Sequence, residues 1–225
     1  MNNNFPILAI DGGAASGKSS TSKAVAEKMG FMHVDTGSHY RTLTLALLRK
    51  GVDVDTPADI PSKLSEIKLT SVVKGQEARL AINGIVPEDK ELRTQEVNEV
   101  VAKFAAVGEV RQALFQYQRD QAGIAREEGF EGLVMEGRDI GSVIFPDAPL
   151  RFFFHADPET RAKRREMQGQ QDQIQKRDAI DSSRKQAPLA CAEGATQVDT
   201  AKYTLGEVIQ IVIDAIESYK TGNKE

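Results

Sequence analysis

The residues whose types and spacing could do chemistry begin with Gly12, Gly13, Ala14, Ala15, Ser16, Gly17, Lys18, Ser19 and Ser20. Gly12 to Ser19 spell G-x-x-x-x-G-K-S, a spacing in which glycines let successive backbone N–H groups curl around phosphate oxygens. The lysine reaches the same phosphates, and the Ser19 hydroxyl reaches the Mg²⁺ that accompanies them. The stretch reads as a cradle for a nucleoside triphosphate. A plain glycine turn gives no reason for Lys and Ser to stand side by side.

A triphosphate cradle needs an acceptor, and arginines recur where loops should converge. Arg41, Arg93, Arg111, Arg138, Arg177 and Arg184 all fall in or beside turn-like or strand-terminal stretches. Guanidinium groups grip phosphate oxygens bidentately and stay charged at any relevant pH. Phosphoryl transfer is catalysed mainly by positioning and by cancelling charge on the group in transit. Taken singly, each arginine reads as a solvated surface residue. The set suits a kinase whose acceptor is itself phosphorylated.

These residues need a scaffold, and the chain supplies alternating strands and helices. Pro6 to Ile10 is a short apolar run of buried-strand type, and Lys18 to Met29 has helical spacing closed by Gly30. Phe31 to Asp35 reads as a second strand, and Asp35 opens a helix through Tyr40 to Leu48. Strand-helix-strand-helix order predicts a mostly parallel sheet covered on both faces, with ligands at the carboxyl ends of the strands. From Gly51 the style changes: Leu69 to Val86 predicts short antiparallel strands turning at Asn83-Gly84, inside an insertion of about 52–95 that should stay apart from the main sheet's core. Helices are expected over Glu91–Val107 and Gly108–Glu128.

The alternation resumes with a strand at Leu133–Met135 that delivers Glu136, Arg138 and Asp139 to its carboxyl end. Leu150–Phe154 is the next strand, and Asp157-Pro158 caps a helix to Met167 that carries Arg161, Arg164 and Arg165. Gln168 to Gln175 reads as a mobile surface segment, Thr196–Asp199 as the last strand, and Thr204-x-x-Glu207 as a capping box.

Composition narrows the class. With 225 residues, 40% of them hydrophobic, the chain can bury a full core in one domain. A net charge of -4 argues against generic nucleic-acid binding. The single cysteine, Cys191, excludes an internal disulfide and is expected to be small and at least half-buried. There is no signal-like N-terminus and no apolar run near the ~18 residues of a membrane span, so a cytoplasmic protein is expected.

Six motifs in order carry a resemblance. They are Asp11-Gly12 with the phosphate loop, Asp35-Thr36-Gly37-Ser38-His39-Tyr40-Arg41, Arg93-Thr94-Gln95-Glu96-Val97, Glu136-Gly137-Arg138-Asp139-Ile140-Gly141, Phe145-Pro146-Asp147-Ala148, and the run from Arg177-Asp178 through Asp181-Ser182 and Arg184 to Ala187-Pro188-Leu189. Together they closely resemble the bacterial cytidylate kinase family over nearly the whole chain. The resemblance implies transfer of the ATP γ-phosphoryl group to CMP or dCMP, giving CDP or dCDP and ADP, in pyrimidine nucleotide metabolism. It implies an α/β fold: a P-loop nucleoside monophosphate kinase core with a five-stranded parallel sheet, a small antiparallel CMP-binding insertion and a helical lid. The core would be 1–51 and 96–225, with the lid at about 158–180 and the insertion at 52–95.

Position by position, the resemblance puts Thr36, Tyr40 and Arg41 toward the monophosphate or its base, with Arg111 near the base. Arg138 and Asp139 would recognise cytosine, Asp181 would hold the ribose, and Arg177 and Arg184 the α-phosphate. Lys18, Arg161, Arg165, Arg177 and Arg184 would be catalytic, with Arg161 and Arg165, on the lid helix, approaching the transferring phosphoryl when the lid closes. Ser19 would hold Mg²⁺ with ATP. The expected partners are ATP and CMP or dCMP alone, with no nucleic acid or membrane, and the protein is expected to be a monomer.

Three positions depart from the family's pattern: Glu136 stands where Asp is usual, His39 where an apolar residue is common, and the segment from Arg165 to Arg177 is short. His39 is expected to be a tolerated substitution, with His33 and His155 structural. The rival readings are a kinase preferring UMP, AMP or another acceptor, and a nucleotide-binding regulator without catalysis. A GTPase is disfavoured because no N-K-x-D guanine-reading element is found.

Overall fold

The computed structural model describes residues 5–167 and 174–222, with the side chains of 174–177 excepted. Five strands form the parallel core: β1 (Ile7–Gly12), β2 (Phe31–Asp35), β5 (Gly132–Gly137), β6 (Leu150–His155) and β7 (Thr196–Asp199). They lie in the order β2-β5-β1-β6-β7, and all four neighbouring pairs are parallel. The predicted α/β class and the five parallel strands are both present.

The sheet nevertheless has seven strands. The hairpin β3 (Leu69–Lys74) and β4 (Glu77–Ile82) adds to the β2 edge, with β4 parallel to β2 at His33 and Glu77. The antiparallel strands lie outside the five-stranded core but extend its edge, which corrects the expected strand number from five to seven. The physical reason is the outer edge of β2, whose His33 N–H would otherwise be a buried unpaired donor and instead donates to the Gln76 carbonyl at 2.7 Å. β3 and β4 turn at Gly75, in the left-handed region at φ 59°. The predicted Asn83-Gly84 turn exists just beyond, closing a single bridge between Ile82 and Ile85.

Helices cover both faces. On one, α1 (Lys18–Met29) and α9 (Leu205–Gly222) pack on Leu8, Ile10, Val134 and Phe154. On the other, Ala122 and Ala125 of α6 (Gly108–Glu127) meet Ala9, Val34 and Met135. A third cluster joins Leu43 and Leu47 of α2 (Thr36–Arg49) to Ile60 of α3 (Ile60–Ser65), Leu80 and Phe104. This is the pattern that alternation along parallel strands dictates when both sheet faces are buried.

The helix expected over Glu91–Val107 is two pieces, α4 (Asp89–Leu92) and α5 (Gln95–Phe104). Thr94 starts the second by accepting from the Val97 N–H at 3.4 Å, and a Glu88/Glu91 capping box starts the first. The Asp157 and Thr204/Glu207 caps form as expected on α7 (Pro158–Met167) and α9. Helix α8 (Ile174–Ser183) follows, and residues 168–173, expected to be a mobile segment, lie outside the described residues. Cys191 is exposed, not half-buried. No helix among the described residues is long and apolar enough to cross a membrane.

Candidate active site

The phosphate loop leaves β1 at its carboxyl end and enters α1, as the spacing requires. Gly12 has no space for a side chain, because a Cβ there would lie 2.1 Å from the Phe154 carbonyl oxygen. Gly17, at φ 92°, adopts a left-handed conformation that a side chain would strain. Ala15 also sits at φ 56°, so the loop turns its amides inward as an anion nest. The helix dipole of α1 adds to that site.

Lys18 is buried and folds back over the loop, donating to the Gly12 and Gly13 carbonyls at 2.8 and 2.7 Å. Burial first, and then the Arg138 charge, pull its ammonium down to about 7. Ser19 Oγ donates to Glu136 Oε2 at 2.8 Å, and His33 Nε2 meets the other carboxylate oxygen at 2.9 Å. A cavity of about 800 Å³ runs along these groups, bordered by Ser20, Arg41, Arg93, Arg165 and Tyr203. That is room for a nucleoside triphosphate.

A second, tighter cavity of about 50 Å³ adjoins it, between Thr36, Tyr40, Arg138, Asp139, Asp181 and Arg184. Its charges are already paired. Asp181 accepts from Arg138 Nε at 2.9 Å through one oxygen and pairs with Arg184 through the other. Asp139 pairs with Arg111, whose guanidinium lies 5.7 Å from the centre of the Tyr40 ring. Burial pushes the Tyr40 phenol up to about 12, so it stays a donor. Thr36 Oγ1 is occupied by the Glu136 carbonyl at 2.8 Å.

The predicted residues therefore converge at the carboxyl ends of β1, β2 and β5, with two qualifications. Arg41 is buried and anchored, donating to the Leu92 carbonyl at 2.8 Å and to Asn98 Oδ1 at 2.7 Å, so it joins the site to α4 and α5. The Arg177 side chain lies outside the described residues. From α7, Arg161 reaches the Ala14 carbonyl at 3.3 Å and pairs with Asp178.

Several participants escaped the sequence reading. Asp178 of α8 accepts from the Ala14 N–H at 3.2 Å. Arg164 bonds the Thr200 carbonyl at 2.8 Å and the Ala15 carbonyl at 3.4 Å, clasping the loop to the end of β7. Asp11 accepts from the Ile140 and Gly141 N–H groups at 2.8 and 2.7 Å, fixing the turn that presents Arg138 and Asp139. Asp11-Gly12 was visible as a motif, but only the π-helical turn Ile140–Ile144 shows what the carboxylate holds. His39 is buried against Tyr117, ring centres 5.1 Å apart, and burial takes its imidazole down to about 4. At that value the buried ring is neutral at ordinary pH.

A family model for cytidylate kinase matches residues 8–218. The cytidylate kinase of Streptomyces griseus is 41% identical over 220 residues, covering 94% of this chain and 92% of its own. That of Mycobacterium leprae is 39% identical, covering 94% and 95%. That of Geobacter sp. is 34% identical, covering 93% and 91%. With the phosphate loop, the arginine set and the paired acids all in one place, the chain belongs to the cytidylate kinase family.

Proposed function

We propose that this protein transfers the γ-phosphoryl group of ATP to CMP or dCMP, giving ADP and CDP or dCDP. The family match over residues 8–218 is the observation that carries this reading. The larger cavity suits ATP on the Gly12–Ser20 loop. The smaller, lined by the residues assigned to the acceptor, takes a nucleotide in this reading only when the Arg138–Asp181–Arg184 pairs separate and the cavity widens.

In this reading Lys18 leaves the Gly12 and Gly13 carbonyls for the transferring phosphate. Arg177 and Arg184 bind the acceptor's phosphate, Asp181 its ribose, and Arg138, Asp139 and Arg111 its base, with Thr36, Tyr40 and Arg41 completing the acceptor wall. Arg161 and Arg165 come from the lid at about 158–180, and 52–95 forms the acceptor-binding insertion on the core. No general base is required, since a phosphate monoester with a second pKa of about 6 is already mostly a dianion at neutral pH. The difficulty is the repulsion between two anions, which converging guanidiniums offset. Excluding water as the lid closes would suppress hydrolysis of ATP.

The oxygen donors beside the loop fit Mg²⁺. Ser19 Oγ and the Glu136 carboxylate are hard ligands 2.8 Å apart, and Mg²⁺ is ordinarily held by one or two such groups plus substrate phosphates. Ser19 would hold the ion with ATP, where it would neutralise charge on the phosphates. A soluble cytoplasmic monomer that binds no nucleic acid completes the proposal.

Product analysis tests it. ATP and CMP incubated with the enzyme should yield CDP and ADP in equal amounts. ADP and inorganic phosphate without CDP would refute the transfer.

A further inference from the structure

Behind the Ser19 hydroxyl lies a buried pair, Glu136 and a histidine, His33, to which no chemistry above has given a role. His33 and Glu136 side chains are each 2% exposed, with His33 Nε2 2.9 Å from Glu136 Oε1. The other oxygen, Oε2, accepts from Ser19 Oγ at 2.8 Å. Three elements thus meet in one line: β2 through His33, β5 through Glu136 and α1 through Ser19.

The geometry follows from register. His33 pairs with Val134, and Asp35 with Glu136, so His33 and Glu136 rise on the same sheet face, two residues out of step. That face packs on α1, whose first turn carries Ser19. Glu136 has a longer and more freely rotating arm than an aspartate, so one contact would leave its carboxylate poorly oriented beside a wide cavity. His33 supplies the second contact. With Ser19 Oγ already donating to Oε2, the role assigned to His33 is that of a second donor, through Nε2 to Oε1. The backbone that carries the ring is held in place, because β2 is paired on both sides and the His33 N–H is tied to Gln76 at 2.7 Å.

We propose that His33 is a positioning residue that occupies Oε1 of Glu136 and so turns Oε2 toward the Ser19 hydroxyl, setting how strongly the site takes nucleotide in its Mg²⁺-bound form. The inference rests on the reading of Ser19 as the Mg²⁺-side ligand. Partners one step removed from a metal's own ligands commonly change its affinity by about 10- to 100-fold when removed.

The test compares ATP binding to the full chain in EDTA and in saturating Mg²⁺, by calorimetry, for wild type, His33→Leu and His33→Gln. Wild type should bind more tightly with Mg²⁺. His33→Leu should lose about tenfold of that gain, with EDTA affinity and CMP affinity unchanged. His33→Gln, whose amide N–H can still donate, should keep most of it. If His33→Leu does not fold, His33→Asn, whose shorter arm falls short of Oε1, should show the same selective loss. A Leu or Asn variant that keeps the wild-type ratio, or that loses affinity equally in EDTA and Mg²⁺, would overturn the role of His33. Wild type indifferent to Mg²⁺ would overturn the Ser19 reading and this inference with it.

Discussion

Asp178 Oδ1 accepts from the Ala14 backbone N–H at 3.2 Å, so a carboxylate from α8 sits in the nest where a phosphate of ATP is expected. Arg161 pairs with the same carboxylate and lies 3.3 Å from the Ala14 carbonyl. Bound ATP must displace this acid and inherit its donors. Asp178→Asn, which removes the negative charge from the nest, should therefore tighten ATP binding by about fivefold, equivalent to ~1 kcal/mol. Equilibrium titration with a fluorescent ATP analogue reads this directly, and weaker binding would show that Asp178 helps to hold nucleotide.

Lys18 gives the site a pH dependence whose sign is fixed. Burial takes the free ammonium down to about 7, and a bound triphosphate must raise it. ATP binding should then take up protons near neutral pH. Affinity should be full below pH 7 and fall as pH rises through 7, by up to about tenfold per unit. Calorimetry in buffers of different ionisation enthalpy measures the uptake. Lys18→Ala should abolish the uptake and lower turnover by roughly 10²–10³ with an intact fold; wild type and variant showing equal, negligible turnover would favour a regulator.

Arg184 is assigned to the acceptor side, next to Asp181 and away from the loop. Arg184→Ala should lower kcat/KM for CMP by roughly 10- to 100-fold, the range of a charge-assisted hydrogen bond. The Kd for ATP should not change. Steady-state kinetics paired with ATP titration would expose the opposite assignment through a selective loss of ATP affinity.

His39 carries a cost the fold does not need. Both ring nitrogens are buried without a hydrogen-bond partner among the described residues. His39→Leu should raise stability by about 1–2 kcal/mol in urea unfolding and leave kcat unaltered. A large fall in kcat would mean the imidazole acts on the reaction.

What the sequence made legible was chiefly local. The phosphate loop, the Asp35 and Asp157 caps and the Arg138-Asp139 turn are each spelled within a few consecutive residues, where one element's physics decides the outcome. The Glu136–Ser19 and Asp178–Ala14 bonds span 117 and 164 residues, and nothing in either segment's pattern points at the other. The attachment of β4 to β2 was missed for a related reason: periodicity identifies a hairpin but does not say which exposed edge will take it. Splitting of the helix after Leu92 turned on Thr94, a cap read as mid-helix because apolar spacing continued past it.

The central claim is the identity of the acceptor, and ADP release measured with CMP, dCMP, UMP and AMP at equal concentration tests it most directly. The account predicts that CMP and dCMP give the highest kcat/KM and that release without acceptor is slow. UMP or AMP outperforming both cytidine nucleotides, or release indifferent to any acceptor, would contradict it.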